Sequence, residues 1–467
     1  MTAPPALHKT LSILEYFTFG FGSMVGVGWL VVMDDWLGRG GPGGAMVGFL
    51  AGGVALLPIA RTYGRLVREV PDAGAEIAYA EPVFPPFLSF AAGWIMVLAY
   101  AIVCPWEAVA IGNLLARIFP GMNGVALYDV AGKTITAPRL VAGLGLTALV
   151  GVVNYRGIRT SGRFQNVTTL GLLACFAVFA ALGLARGTPA TLRPLFAAPG
   201  ATGALLSVVL VTQIVPYFMT GFEGVAKTSE EARPGFDPRD FGRAITLALV
   251  AGALFYVIVV GVVALVYPWR DLVANRLGTE AAFARAFRSP AIARLVLLAA
   301  FLSLFKVFNG NFVAATRLML ALGRRALVHP GLAAVHPRFG TPATAILLLA
   351  GLSGAAALLG DALLVPVTEV GSLAAGVGWC AACLAFVLTR PHPSYPLSAT
   401  RRGGQGVRSG EVTAWAGVLV SLAIIAMKVV PAVPGSFSAA DWTALAGWCA
   451  LGAVFWATRR RAPGGAA

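Results

Sequence analysis

Two short stretches and four isolated charges are where this sequence could do chemistry. Residues 22–29 read GSMVGVGW, and Gly20, Gly22, Gly26 and Gly28 crowd into about two helical turns of a run without charge from Phe17 to Met33. Glycine costs a helix interior about 1 kcal/mol against alanine, so the cluster reads as an interruption. Residues 216–224, PYFMTGFEG, place a proline and two glycines in a second apolar run. Broken helices leave backbone N–H and C=O groups unpaired. In an apolar medium such backbone is tolerated only where it lines a cavity or is buried in protein. Glu107, Glu223, Lys306 and Glu369 each lie within an apolar run. Ionisable residues in such runs are functional candidates by default.

The elements that must position these groups are spanning helices. Of 467 residues, 58% are hydrophobic and 12% charged, against about 25% charged in soluble domains. A large soluble enzyme would need more polar surface, so the fold class is an all-α polytopic membrane protein. The net charge of +15 falls in short loops between apolar segments, where it sets topology and does not bind nucleic acid. The start, MTAPPALHKT, is short, and the apolar run behind it reads as a first spanning helix, not a cleavable signal.

Twelve apolar segments follow: 12–36, 43–64, 87–118, 140–156, 167–186, 206–228, 244–267, 292–322, 342–360, 363–389, 412–430 and 441–458. Both termini then share one side. With them in the cytoplasm, inner loops and tails hold about twice the Lys and Arg of the outer ones, Lys227, Arg317, Arg390, Arg401, Arg402, Arg460 and Arg461 among the inner set. This predicts a multi-pass protein of the cytoplasmic membrane. Within 120–139, LYDVAGKTIT alternates and is expected to form a small outer hairpin or a loop; 268–291 is a polar outer segment, as loop or short helices; the charged inner loop is 227–243.

Several chemistries are excluded. His8, His329, His336 and His392 all fall outside the apolar segments, so no His-based metal site lies at membrane depth. Cys380 and Cys383 match C-x-x-C inside an apolar helix, where they read as small packing groups. There is no G-x-x-x-x-G-K-[ST] run, so ATP is not the energy source. A membrane-embedded enzyme would need paired acids or a Ser/His or metal constellation, and the acids are scattered singly. No cofactor is implied.

Segments 1 and 6 each open a set of five. An odd repeat inserts its second copy upside down, giving repeats over 12–186 and 206–389, with two further helices over 412–458. Paired interruptions at corresponding places point to a transporter site at the repeat interface.

An ordered set of motifs carries a family resemblance: Gly26-Val27-Gly28; Tyr63-Gly64-Arg65-Leu66, then Pro71-Asp72-Ala73-Gly74-Ala75 and Tyr79; Gly221-Phe222-Glu223, then Glu230-Glu231 and Arg243-Ala244-Ile245; Asn309-Gly310, Thr316-Arg317 and Thr341-Pro342. The chain resembles the amino acid–polyamine–organocation transporter superfamily, in its amino acid permease branch. The resemblance implies twelve helices in a five-plus-five inverted repeat, with helices 1 and 6 discontinuous, and alternating access. It implies a substrate carboxylate on free N–H groups around Ser23, Met24, Gly26, Val27 and Gly28. It implies the substrate amine on carbonyls from Tyr217 to Gly221, with Tyr217, Phe218 and Phe222 as aromatic lid or wall.

Lys306, Glu223, Glu107, Glu369 and Asn309 are the coupling or gating candidates. In sodium-coupled relatives the ion lies between helices 1 and 8. Lys306 either puts its ammonium there, making transport sodium-independent and open to protons, or pairs with a carboxylate such as Glu107 or Glu223. Glu223 either couples or bonds backbone freed by the break. Asp34, Asp35, Glu107 and Glu369 either draw a cationic substrate to an outer entrance, or the first two are solvated. Trp29, where a smaller residue is expected, either narrows the pocket or faces lipid. The expected function is secondary transport of amino acids or related amines through the lipid bilayer, as proton symport or exchange. The alternative is a transport-fold sensor or binding subunit without flux.

Overall fold

Long apolar runs can pair all their backbone polar groups in a bilayer only as helices or closed barrels, and helices make up most of the described residues. The computed structural model describes residues 6–360, 364–389 and 404–459. The start of the tenth apolar segment at Leu363, together with His392, Arg390, Arg401, Arg402, Arg460 and Arg461, lies outside them.

The first apolar segment is split. Helix α1 (Ile13–Met24) stops, three residues intervene, and α2 (Gly28–Val31) resumes the course into α3 (Met33–Glu69). Inside α3, Gly41 has φ 63°, so the helical path turns before Pro42. A returning loop stitches this corner: Gly43 N–H donates to Leu195 O at 2.7 Å and Ala197 N–H to Gly40 O at 3.2 Å. Segment 3 is α5 (Pro86–Ala101) and α6 (Val103–Ile118), preceded by the short α4 (Glu76–Ala80). The expected hairpin is present as β1 (Ala126–Val130) and β2 (Lys133–Thr136), antiparallel. Helices α7 (Ala137–Tyr155) and α8 (Ile158–Arg186) follow.

Segment 6 is split twice, into α9 (Gly200–Thr212), α10 (Val215–Met219) and α11 (Gly224–Lys227). Then come α12 (Arg239–Val266), the short α13 (Trp269–Ala274) and α14 (Thr279–Phe287), α15 (Pro290–Arg324), α16 (Ala343–Ala357), α17 (Leu364–Leu388), α18 (Gly404–Val429) and α19 (Ala439–Ala457). Arg117 of α6 bonds Glu280 of α14, so the hairpin and the short helices share one face.

Among the described residues, nine helices are long and apolar enough to cross a membrane, while α9 and α16 are apolar but shorter. The protein is an all-α polytopic membrane protein with two discontinuous segments. The centre of the bundle is α15, buried on every side from Lys306 to Gly323. Leu347, Leu205, Val412 and Leu419 stay exposed on outward helix faces, where lipid replaces water. On the face opposite the hairpin, Thr10 and Leu11 N–H groups donate to Glu231 O at 2.9 Å. The Glu231 carboxylate accepts a two-pronged bond from Arg317 at 2.9 and 3.1 Å. Burial pushes the Glu231 carboxyl up, against the pull of that guanidinium.

Candidate functional site

The end of α1 leaves a row of carbonyl oxygens that no helical N–H can reach. Other helices satisfy them one by one. Lys306 Nζ donates to Gly22 O at 3.2 Å and also to Val25 O. Asn311 Nδ2 donates to Ser23 O at 3.1 Å. Tyr256 Oη donates to Met24 O at 2.9 Å. Ser303 Oγ reaches Val25 O and Gly26 O at 2.9 and 2.8 Å. Three of these four side chains come from α15, and Tyr256 comes from α12.

The donors of the break are in the opposite condition. Among the described residues nothing accepts from the backbone N–H groups of Val27, Gly28 and Trp29. These groups open the helical stretch from α2 onward. Free N–H groups at such an end attract negative charge.

The second break meets the first directly. Gly221 has φ +134°, a conformation glycine adopts without strain, and a Cβ on it would lie 2.6 Å from Ser23 Cβ. A Cβ on Gly28 would lie 2.6 Å from the Phe218 ring. Tyr256 ties both breaks together, since its hydroxyl lies 3.3 Å from Phe218 O as well as on Met24 O. The carbonyls of Met219 and Thr220 receive no donor among the described residues.

Between the breaks lies a cavity of about 30 Å³. Ser23, Met24, Gly26 and Gly28 form one wall, and Tyr217, Phe218 and Thr220 another. Val103, Trp106 and Glu107 of α6 and Val307 of α15 close it. Glu107 is 2% exposed, and its Oε2 has no hydrogen-bond partner. Its Oε1 lies 3.2 Å from where a Gly26 Cβ would sit. A buried carboxylate oxygen without a donor faces the same space as the break.

The other candidates fall elsewhere. Val27, Gly221 and Phe222 are buried at the breaks but do not line the cavity. Lys306 forms no ion pair with Glu107 or Glu223; it bonds backbone. Glu223 accepts from Gly221 N–H at 3.1 Å and from Tyr100 Oη at 2.8 Å. Asn309 sits in a buried amide network with Asn154, Ser161 and Gln165, and Gln165 reaches back to Thr18 O at 3.0 Å. Glu369 pairs with Lys428 between α17 and α18, away from the cavity. Asp35 pairs with Arg39. Trp29 neither narrows the cavity nor meets lipid: it is 1% exposed, with its ring against Phe179 and Phe255.

Sequence reasoning missed Val103, Trp106 and Val307 in the cavity, and Tyr256, Ser303 and Asn311 at the α1 end, while Thr220 fell within the carbonyl stretch it named. Ser303, Lys306 and Asn309 recur every three residues along an apolar helix, a polar stripe that could have flagged Ser303. It also placed Lys227 with the loop cations. Lys227 is fully buried and paired with Glu76 of α4, under the rings of Tyr63 and Tyr100 at 5.1 and 5.2 Å. Its position four residues after Glu223 was the available signal.

Comparison with known proteins agrees with this architecture. The family described as amino acid permease matches residues 11–455. The chain is 28% identical to the methylthioribose transporter of Bacillus subtilis (strain 168), over 72% of each chain. It is 24% identical to the branched-chain amino acid permease BcaP of the same organism, over 79% of this chain and 77% of that one. It is 24% identical to the low-affinity putrescine importer PlaP of Escherichia coli (strain K12), over 66% of this chain and 64% of that one. The chain belongs to the amino acid permease family and is a multi-pass membrane transporter, not an enzyme.

Proposed function

We propose that the protein is a sodium-independent secondary transporter of amino acids or related amines, working by alternating access between two inverted five-helix repeats. The observation that carries this reading is the pairing of unlike groups across one small cavity. The unpaired N–H donor of Gly28, between those of Val27 and Trp29 just behind the cavity wall, suits a carboxylate, and Glu107 with the Thr220 carbonyl suits an amine. A cavity of about 30 Å³ is far below the roughly 300 Å³ or more of ligand pockets. Substrate therefore enters a more open state, and the shape described here is a closed one. The names of the relatives support an amino acid or amine, and methylthioribose belongs in any substrate panel.

The position of Lys306 supports sodium independence. A sodium ion held between α1 and α15 would need carbonyl oxygens of the α1 end, and an ammonium and a serine hydroxyl already hold those of Gly22, Val25 and Gly26. A second cation beside that ammonium is repelled. The two-to-one excess of basic residues supports cytoplasmic termini. A thermal-unfolding screen of the purified protein against amino acids, amines and methylthioribose tests the substrate class. A ligand at a hundred times its Kd stabilises by about 2.7 kcal/mol. No stabilisation by any amino acid or amine would sink the reading.

A further inference from the structure

A second concavity lies on the outer surface of the bundle, apart from the central cavity. It is a groove of about 590 Å³ between α7 and α16. Its floor is made of small residues, Ala148, Gly151 and Ala350, and its rims include Val152 and Leu347, 52% and 64% exposed. Along α7 it runs from Ala148 to Arg156, about 12 Å at 1.5 Å per residue. The walls carry no charge until the end, where Arg156 closes the groove beside Tyr155 and Phe339.

That end is strongly basic. Arg338 lies over the Phe339 ring at 5.4 Å, and Arg159 and Arg163 follow Arg156 on the exposed start of α8. Among the described residues none of these four arginines is in an ion pair. On the same face of the bundle, Arg317, Arg324 and Arg325 are all paired with carboxylates. The His336 ring stacks on Phe339 at 4.7 Å and meets Tyr155 edge-on at 5.2 Å, adding the amphipathic rings that favour the headgroup level.

We propose that this groove binds one anionic phospholipid, with an acyl chain between α7 and α16 and the phosphate against Arg156 and Arg338. An acidic peptide does not fit, because its backbone would lie unpaired at bilayer depth. A second copy of this chain would bring the same arginines against these, like charge on like. Basic clusters at the end of spanning helices recognise anionic headgroups, and the apolar groove below adds what a free phosphate lacks.

The test uses the full-length protein in neutral detergent, with lipid retention read by native mass spectrometry. The probes are dioleoylphosphatidylglycerol, dioleoylphosphatidylcholine and inorganic phosphate. The phosphatidylglycerol is retained in preference to the phosphatidylcholine, and millimolar phosphate does not displace it. Retention weakens about fivefold for Arg156→Gln and about thirtyfold for Arg156→Gln with Arg338→Gln. Leu347→Trp, which fills the groove and keeps every charge, also lowers retention. Equal retention of the two lipids by the unaltered protein overturns the proposal. So does undiminished binding in the folded double variant, displacement by phosphate, or indifference to Leu347→Trp.

Discussion

Lys306 donates to the carbonyl oxygen of Gly22 across 3.2 Å, so a buried lysine amine caps the end of the first half-helix. If this amine takes the place of a coupling ion, uptake is unchanged when sodium is replaced by N-methylglucamine. Lys306→Ala then weakens accumulation driven by a pH gradient more than it weakens exchange. Equal loss of both, with poor folding, would instead mark Lys306 as a purely structural cap.

Gly221 and Ser23 bring the two breaks into contact. Gly221→Ala forces a Cβ into a positive-φ residue 2.6 Å from Ser23 Cβ, and such substitutions cost more than about 1 kcal/mol. Transport is expected to fall about tenfold or more, measured as initial uptake per folded molecule. Gly224→Ala is the control, because its nearest neighbour is Tyr100 Oη at 3.9 Å. Comparable losses in both variants would argue against the contact.

Glu107 presents a carboxylate oxygen without a partner to the cavity. Hydrogen bonds to charged groups contribute about 1.5–3 kcal/mol, so Glu107→Gln should weaken binding of an amine-bearing substrate about ten- to a hundredfold. Calorimetric titration of the solubilised protein reads this. Unaltered affinity would remove Glu107 from the amine subsite.

Lys227 and Glu76 form an ion pair in which both side chains are fully buried. Removing one partner strands a charge, at a cost of about 3–5 kcal/mol. Lys227→Met and Glu76→Gln should each lower the unfolding temperature markedly, and the double variant should recover most of the loss. Additive losses in the double variant would show that the two charges do not act as a pair.

The legible parts of this molecule are those whose physics is local. Glycine and proline act on their own backbone, so the breaks after Met24 and around Gly221 could be read from GSMVGVGW and PYFMTGFEG. An acid in an apolar run stands out alone, which is how Glu107 was found. The hairpin at 126–136 showed through its alternation. What escaped depends on distant partners. Trp29 looks like a pocket or lipid residue until Phe179 and Phe255 enclose it. Lys227 looks like a loop cation until α4 brings Glu76 to it. The corner at Gly41 carries the end of the first apolar segment into the second as one helical stretch. Twelve apolar segments become, among the described residues, nine helices long and apolar enough to cross, because α9 and α16 are short and α19 is not among the nine.

The central claim is that substrate crosses the membrane through the space between the two breaks, without sodium. Uptake of radiolabelled amino acids and amines into sodium-free proteoliposomes, with an inward pH gradient or internal substrate, tests it most directly. The predicted result is accumulation of at least one of them, lowered about tenfold or more by Gly221→Ala and retained by Gly224→Ala. Background uptake across the whole panel under both driving forces, from protein that still binds a ligand in thermal unfolding, would contradict it and favour a sensor on a transporter fold.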